Sequence, residues 1–295
     1  MLKQCKSIMN KSNLILAGSG YLGESIIAEY NIIKNTFNII ELCRSIKNRR
    51  PEVKTIQIDF DKSTDDMSYV ERSVIVYMAP PDTLSLKDTR LNKFLNNISN
   101  YKVKKLIYIS TSGVYGNCNG NIVNEENKIN PLTDRAKRRA DAEIQIQKFC
   151  MRKNISGIIF RVPGIYGRNR LPVKRIKERD PLINIEESRT TNLIHVSDLT
   201  RLVIKALNLT NKKTEIINVS DGKAVKTTRY YEIIYKALNI KLPEYISYEQ
   251  AISMYDEKRA SFLKESRVLD VTKMKQLFPG CIKYKKLEDG IKESL

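Results

Sequence analysis

Short apolar runs alternate with helix-spaced stretches through the first two-thirds of the chain. Leu14-Ile15-Leu16-Ala17 comes first, then a glycine-rich turn, then Ile26, Ile27 and Tyr30 at helical spacing. Phe37 to Cys43, Val53 to Phe60, Val74 to Ala79, Leu106 to Ile109 and Ile155 to Val162 are the later runs, and Pro80-Pro81 closes the one that ends at Ala79. Near-continuous apolar strands separated by helices predict a parallel sheet covered on both faces. With right-handed crossovers, the expected fold class is α/β, a doubly wound parallel sheet of Rossmann type. After Gly167 the pattern loosens. Residues 168–188 carry Pro172, Pro181 and many charges, and read as a loop or lid. Asp198 to Asn208 predicts a helix and Glu215 to Val219 a short strand returning to the sheet, while later pieces broken by Pro243 and Pro279 predict a small C-terminal α/β lobe.

Composition narrows the function classes. Of 295 residues, 41% are hydrophobic and 29% charged, the balance of a globular chain. No segment approaches the roughly 20 apolar residues that cross a bilayer. The start carries Lys3, Lys6 and Lys11 without an apolar stretch behind them, so neither membrane nor signal peptide is expected and a cytoplasmic location is. Cys5, Cys43, Cys118, Cys150 and Cys281 lie far apart and read as reduced thiols. The single histidine, His195, excludes a histidine-rich zinc site, and no metal is expected. Lys and Arg total 52 against 33 Asp and Glu, a net +19. The cations are scattered, however, and the clusters Lys102, Lys104, Lys105 and Lys174 to Arg179 are short. Solvated surface charge is the expectation, not a nucleic-acid partner.

Gly18-x-Gly20-x-x-Gly23 follows a strand and opens a helix, the context in which this spacing carries meaning. The first glycine permits a tight turn, the second lets backbone approach a diphosphate, and the third allows close packing. The helix start then offers amide donors and partial positive charge. Gly18, Ser19, Gly20, Tyr21, Leu22 and Gly23 are the expected cradle. The second strand ends Glu41-Leu42-Cys43-Arg44-Ser45. Arg44 sits where a cation would hold the 2′-phosphate of NADP, so NADP is expected ahead of NAD. The plain alternative is a solvated arginine beside Lys47, Arg49 and Arg50.

Further motifs carry a family resemblance. Ser110-Thr111-Ser112-Gly113-Val114-Tyr115-Gly116 follows the fifth strand, and Phe160-Arg161-Val162-Pro163-Gly164-Ile165-Tyr166-Gly167 the sixth. Glu125 to Pro131, Asn192-x-Ile194-His195-Val196-x-Asp198-Leu199 and Asn218-Val219-Ser220-Asp221 come in the expected order. From about residue 13 to the end the chain resembles the extended short-chain dehydrogenase/reductases, the NAD-dependent epimerase/dehydratase group. Its opening turn, Ala79-Pro80-Pro81 and the arginine-rich helix after Pro131 look most like an atypical bacterial subgroup typified by the YeeZ protein. The resemblance implies a dinucleotide-binding domain over residues 10–167, completed by about 190–220, with 168–189 and 221–295 forming a smaller substrate-binding lobe. It places Asp59 and Phe60 near the adenine, and Ala79, Pro80, Ser110 and Pro163 against the cofactor. A small-molecule substrate is implied, a sugar or other hydroxylated metabolite. Homodimers are common in the family.

The family's chemistry uses a Ser or Thr together with Tyr-x-x-x-Lys on one helix. Thr111 matches the first role. Counting back from Glu143 puts Arg135 in the place of the tyrosine and Arg139 in that of the lysine, and no tyrosine stands between Tyr115 and Tyr166. A guanidinium stays protonated across the working range, so Arg135 can bind an anion but is a poor base. Arg139 can still reach a cofactor ribose. The acidic pair of the dehydratases is replaced by Ser112 and Gly113. Tyr115 is the substitute candidate for catalysis. Tyr166, Arg135 and Arg168 are candidates for lining the substrate pocket, both tyrosines having a structural reading beside the functional one. His195 could act as acid or base; in the family it looks like a packing residue. The expected function is an NAD(P)-dependent oxidoreductase or epimerase, and the alternative a non-catalytic NAD(P) sensor.

Overall fold

The computed structural model describes residues 11–46, 50–62, 66–211, 213–256, 260 and 263–295. Lys3, Cys5, Lys6, Lys47 and Arg49 lie outside the described residues. Seven strands form the central sheet: β1 (Ser12–Ala17), β2 (Phe37–Cys43), β3 (Lys54–Gln57), β4 (Val74–Tyr77), β5 (Lys105–Thr111), β6 (Ser156–Val162) and β7 (Glu215–Asn218). Every pairing in it is parallel, and the order is β7-β6-β5-β4-β1-β2-β3. This is the doubly wound Rossmann-type arrangement. The order reverses between β1 and β4, and a crevice opens there at the carboxyl ends of the strands.

The strands look continuously apolar because both faces are covered. Leu14 and Leu16 of β1 join one buried cluster, Ile15 and Ala17 the other. The first cluster takes α1 (Tyr21–Ala28) through Ile26 and Ile27, and α4 (Val196–Leu207) through Leu199, Leu202 and Val203. The second takes α2 (Thr89–Asn97) through Leu91 and Phe94, and α3 (Asp134–Lys153) through Ala142, Ile146 and Phe149. Local chemistry sets the bounds of α3. The Thr133 hydroxyl accepts the Ala136 amide at 3.2 Å, and Asn154 closes the helix in the left-handed region.

Two stretches depart from the sequence expectation. Lys105 is buried rather than part of a solvated cluster. Its ammonium donates to the carbonyls of Ala206, Leu207 and Leu209 at 2.9, 2.9 and 2.6 Å, where α4 ends. Burial brings its pKa down to about 8. The cation completes orphan carbonyls that the helix cannot satisfy itself. The second departure is residues 268–281, assigned above to the smaller lobe. Val268–Leu269 pairs with Ile122–Val123, and Val271, Met274, Phe278 and Cys281 enter the sheet's own core. Phe278 meets Phe160 of β6 with ring centres 5.9 Å apart. A separate cluster forms between α5 (Thr227–Ala237) and α6 (Leu287–Ser294), around Tyr166, Ile176, Tyr230 and Ile291. Among the described residues no helix is long and apolar enough to cross a membrane, and no His, Cys, Asp and Glu group is arranged to hold a metal ion.

Candidate functional site

The glycine turn shapes one wall of a cleft of about 660 Å³. Gly18 sits at φ +78, and a Cβ there would stand 2.5 Å from the Ala79 backbone, so the turn abuts the end of β4. Its amide and that of Ser19 donate to the Leu42 carbonyl at 3.0 and 3.2 Å, hanging the turn from β2. Gly23 faces Ser19 Oγ too closely to admit a side chain. Gly20 differs: a Cβ there would meet nothing within 4 Å. It opens α1 without any side-chain cap, and Gly20, Tyr21, Leu22 and Gly23 all line the cleft. An uncapped helix start facing open space, with no side chain in the way, fits a diphosphate.

Opposite lie the ends of β4, β5 and β6. Pro80, Ser110, Thr111, Pro163, Arg135 and Arg139 line the same cleft as the glycines. Thr111 Oγ1 accepts the Gly113 amide at 3.1 Å, which leaves its hydroxyl proton for a ligand. Ser110 is committed below, donating to Glu143 Oε1 at 2.6 Å. Glu143 also receives the Arg161 guanidinium, with Nη2 at 2.7 Å from Oε2, both side chains buried. Burial alone would lower the Arg161 pKa, but this carboxylate overrides it and raises it. Arg139 donates to the Tyr108 hydroxyl at 2.9 Å and the Ile109 carbonyl at 3.2 Å, tying α3 to β5. Arg135 lies one helical turn earlier. Burial lowers its pKa while the nearby Glu265 carboxylate works against that.

Several expected residues lie elsewhere. Tyr115 is buried off the cleft wall, with its hydroxyl 2.8 Å from both the Asn124 carbonyl and Asn218 Oδ1 and Arg161 stacked 4.7 Å from its ring centre. Burial pushes its pKa up, so the phenol is neither exposed nor activated. Tyr166 is buried against α6, close to Gly290, and burial raises its pKa as well. Arg168 is exposed outside the cleft, and its carbonyl accepts the Tyr21 hydroxyl at 2.9 Å. Two residues on, Arg170 does line it. Phe60 is turned into the core against Tyr77 and Phe94, at 5.9 and 5.1 Å, because the aromatic cluster under β4 claims its ring. Asp59 holds its own turn, accepting the Asp61 amide at 3.1 Å. Ala79 is the buried stop beside Gly18, Ser19 Oγ is buried, and Arg44 is exposed at the end of β2. None of Ser19, Arg44, Asp59, Phe60 and Ala79 lines the cleft. His195 is also buried outside it. Its Nδ1 accepts the Ser197 amide at 3.2 Å, Tyr284 packs 4.3 Å from its ring, and burial brings its pKa down to about 4.

The cleft also contains residues without a sequence signal. Among the described residues that line it, Glu265 is the one carboxylate. Its Oε2 pairs with Arg267 Nη1 at 2.9 Å, and Oε1 is buried without a hydrogen-bond partner among the described residues. Arg267 is anchored in turn, donating to the Gly116 carbonyl. No motif spacing points to this pair. The strand pairing of Val268–Leu269 with Ile122–Val123 brings it in.

A model of the NAD dependent epimerase/dehydratase family matches residues 18–220. The chain belongs to that family. It is 24% identical over 250 residues to a putative UDP-glucose 4-epimerase of Methanocaldococcus jannaschii, covering 75% of this chain and 80% of that protein. A functionally unknown conserved protein from Silicibacter pomeroyi superposes with a TM-score of 0.80 at 20% identity, covering 95% of this chain and 97% of the other. UDP-glucuronic acid 4-epimerase from Bacillus cereus, in complex with NAD, gives 0.76 at 17% identity, covering 96% and 95%. At these identities the structural likeness is one of fold.

Proposed function

We propose that this family member is an NAD(P)-dependent oxidoreductase or epimerase acting on a nucleotide-linked sugar or a related hydroxylated metabolite. The observation that carries the reading is the uncapped start of α1 at Gly20, which opens onto the same cleft as Thr111 and Arg139. When bound, the nicotinamide would accept or return the hydride of a substrate carbinol. The glycine turn and the α1 dipole hold the diphosphate. Arg139 reaches the ribose from the place of the family's lysine, and Thr111 orients the substrate hydroxyl. Arg135 meets an anionic group of the substrate. With Tyr115 engaged outside the cleft, Glu265, the carboxylate among the described lining residues, would accept the hydroxyl proton through its unpartnered Oε1. Arg44 would favour NADP by binding its 2′-phosphate, whereas the Bacillus cereus epimerase structure carries NAD.

The experiment incubates the purified protein with either cofactor and a panel of nucleotide sugars. Absorbance at the nicotinamide band follows net oxidation, and NMR of the sugar products follows epimerisation, which returns the hydride and leaves the band unchanged. Turnover that falls in Thr111→Ala supports the reading. One observation favours a second reading: the helix position of the proton-transferring tyrosine holds Arg135. A cofactor sensor would bind NAD or NADP without any turnover, indifferent to Thr111→Ala. Arg44→Glu binding NADP as tightly as the parent would remove the NADP preference.

A further inference from the structure

Arg170 lines the cleft beside Gly20, Tyr21 and Leu22, and neither hydride transfer nor proton transfer requires it. Its guanidinium lies 4.7 Å from the centre of the Tyr21 ring. Tyr21 is fastened in turn, since its hydroxyl donates to the Arg168 carbonyl at 2.9 Å. Gly167 passes so near that a Cβ there would stand 2.5 Å from that hydroxyl. The first residue of α1 and the loop after Tyr166 therefore form one unit. An aromatic shelf stands on the helix end, and a cation lies on the shelf. The ring holds this guanidinium, while Glu265, the carboxylate of the cleft, is paired with Arg267. Among the described residues no carboxylate pairs with Arg170, so its charge is available to an anion at the helix end whose dipole already attracts one. A guanidinium held on a ring also loses less rotamer freedom when the anion arrives.

We propose that Arg170 binds the diphosphate of the dinucleotide, closing from the loop side the cradle that Gly18 to Gly23 opens from the helix side. This rests on the cofactor reading above. A nucleotide-linked substrate would bring the same diphosphate chemistry. The cofactor is the assigned source because the shelf residue belongs to the glycine turn itself.

Titration calorimetry on the full chain separates the two, using ADP-ribose, AMP and UDP as probes with the parent, Arg170→Gln and Arg170→Lys. Loss of a charge-assisted contact predicts ADP-ribose affinity lower by about 10- to 100-fold in Arg170→Gln. AMP, which lacks the diphosphate, should stay within about twofold, and Arg170→Lys should fall between because it keeps the charge but not the planar fork. Arg170 is exposed, so both variants should melt with the parent, and a melting curve verifies this. Unchanged ADP-ribose affinity in Arg170→Gln overturns the assignment, as does an equal loss for AMP. A loss for UDP alone overturns it in favour of the substrate's diphosphate. If the parent binds neither ADP-ribose nor NAD nor NADP, the cofactor reading falls and takes this proposal with it. If the parent binds them and Arg170→Gln binds equally, only the arginine assignment falls.

Discussion

The two walls of the cleft are built on different principles. The wall at Gly18 to Gly23 presents backbone: an uncapped helix start, a left-handed glycine against Ala79, and open space at Gly20. The wall at Thr111, Arg135, Arg139, Glu265 and Arg267 presents side chains. A backbone wall needs only small residues at fixed spacing, and Gly18, Gly20 and Gly23 supply them here. Side-chain chemistry can be replaced one residue at a time without disturbing the fold, because α3 keeps its cap and its buried face whatever points into the cleft. In this chain the helix still supports the cleft through Glu143 and Arg161, although its two outward positions are both arginine.

The largest expected effect tests the support beneath the side-chain wall. Glu143→Ala leaves the Arg161 charge buried without its partner and should cost about 3–5 kcal/mol of stability, read by urea unfolding. A loss below 1 kcal/mol would mean that the pair does not hold the wall. Next is Gly20→Asp. The new Cβ has room, so the fold should survive, but a carboxylate at the diphosphate position should weaken NAD binding by at least about 100-fold in calorimetry. Unchanged affinity would show that the backbone wall does not bind the cofactor.

A third test keeps His195 out of either wall. Its folded pKa, near 4, lies below the ordinary 6.5. The neutral form is therefore favoured in the fold, and its contribution, on the order of 3 kcal/mol, is full above about pH 6.5 and lost as pH falls towards 4. Asp221 works oppositely, burial raising its carboxyl to about 6, so its contribution is present at low pH and lost as pH rises through 6. The difference between the parent and His195→Gln should therefore isolate the histidine, the variant losing less stability between pH 6.5 and 4. Equal slopes would contradict the burial argument. The smallest effect is Thr111→Ala, expected to lower turnover about tenfold by loss of one hydrogen bond, with cofactor affinity unchanged. Loss of cofactor affinity instead would move Thr111 to the backbone wall's task.

Much of the fold was legible because it depends on local pattern. Period-2 burial on two faces explains the unbroken apolar strands, and the turn at Gly18 to Gly23 follows from residue size and backbone angle. Individual side chains were less legible. Phe60 and Tyr115 follow the right strands, yet their rings go to the core because neighbours from distant segments, Phe94 and Arg161, complete their packing. Lys105 reads as surface charge until the end of α4 supplies carbonyls for it.

By itself, then, the sequence determined the α/β class, the glycine spacing of the turn at Gly18 to Gly23 and the lack of any tyrosine between Tyr115 and Tyr166, since each depends on residues close together in the chain. Only the tertiary structure decided that Glu265 and Arg267 join Thr111 in one cleft and that Tyr21 carries Arg170. Those neighbours meet through strand pairing and loop packing between segments far apart in sequence, and no local spacing encodes such contacts.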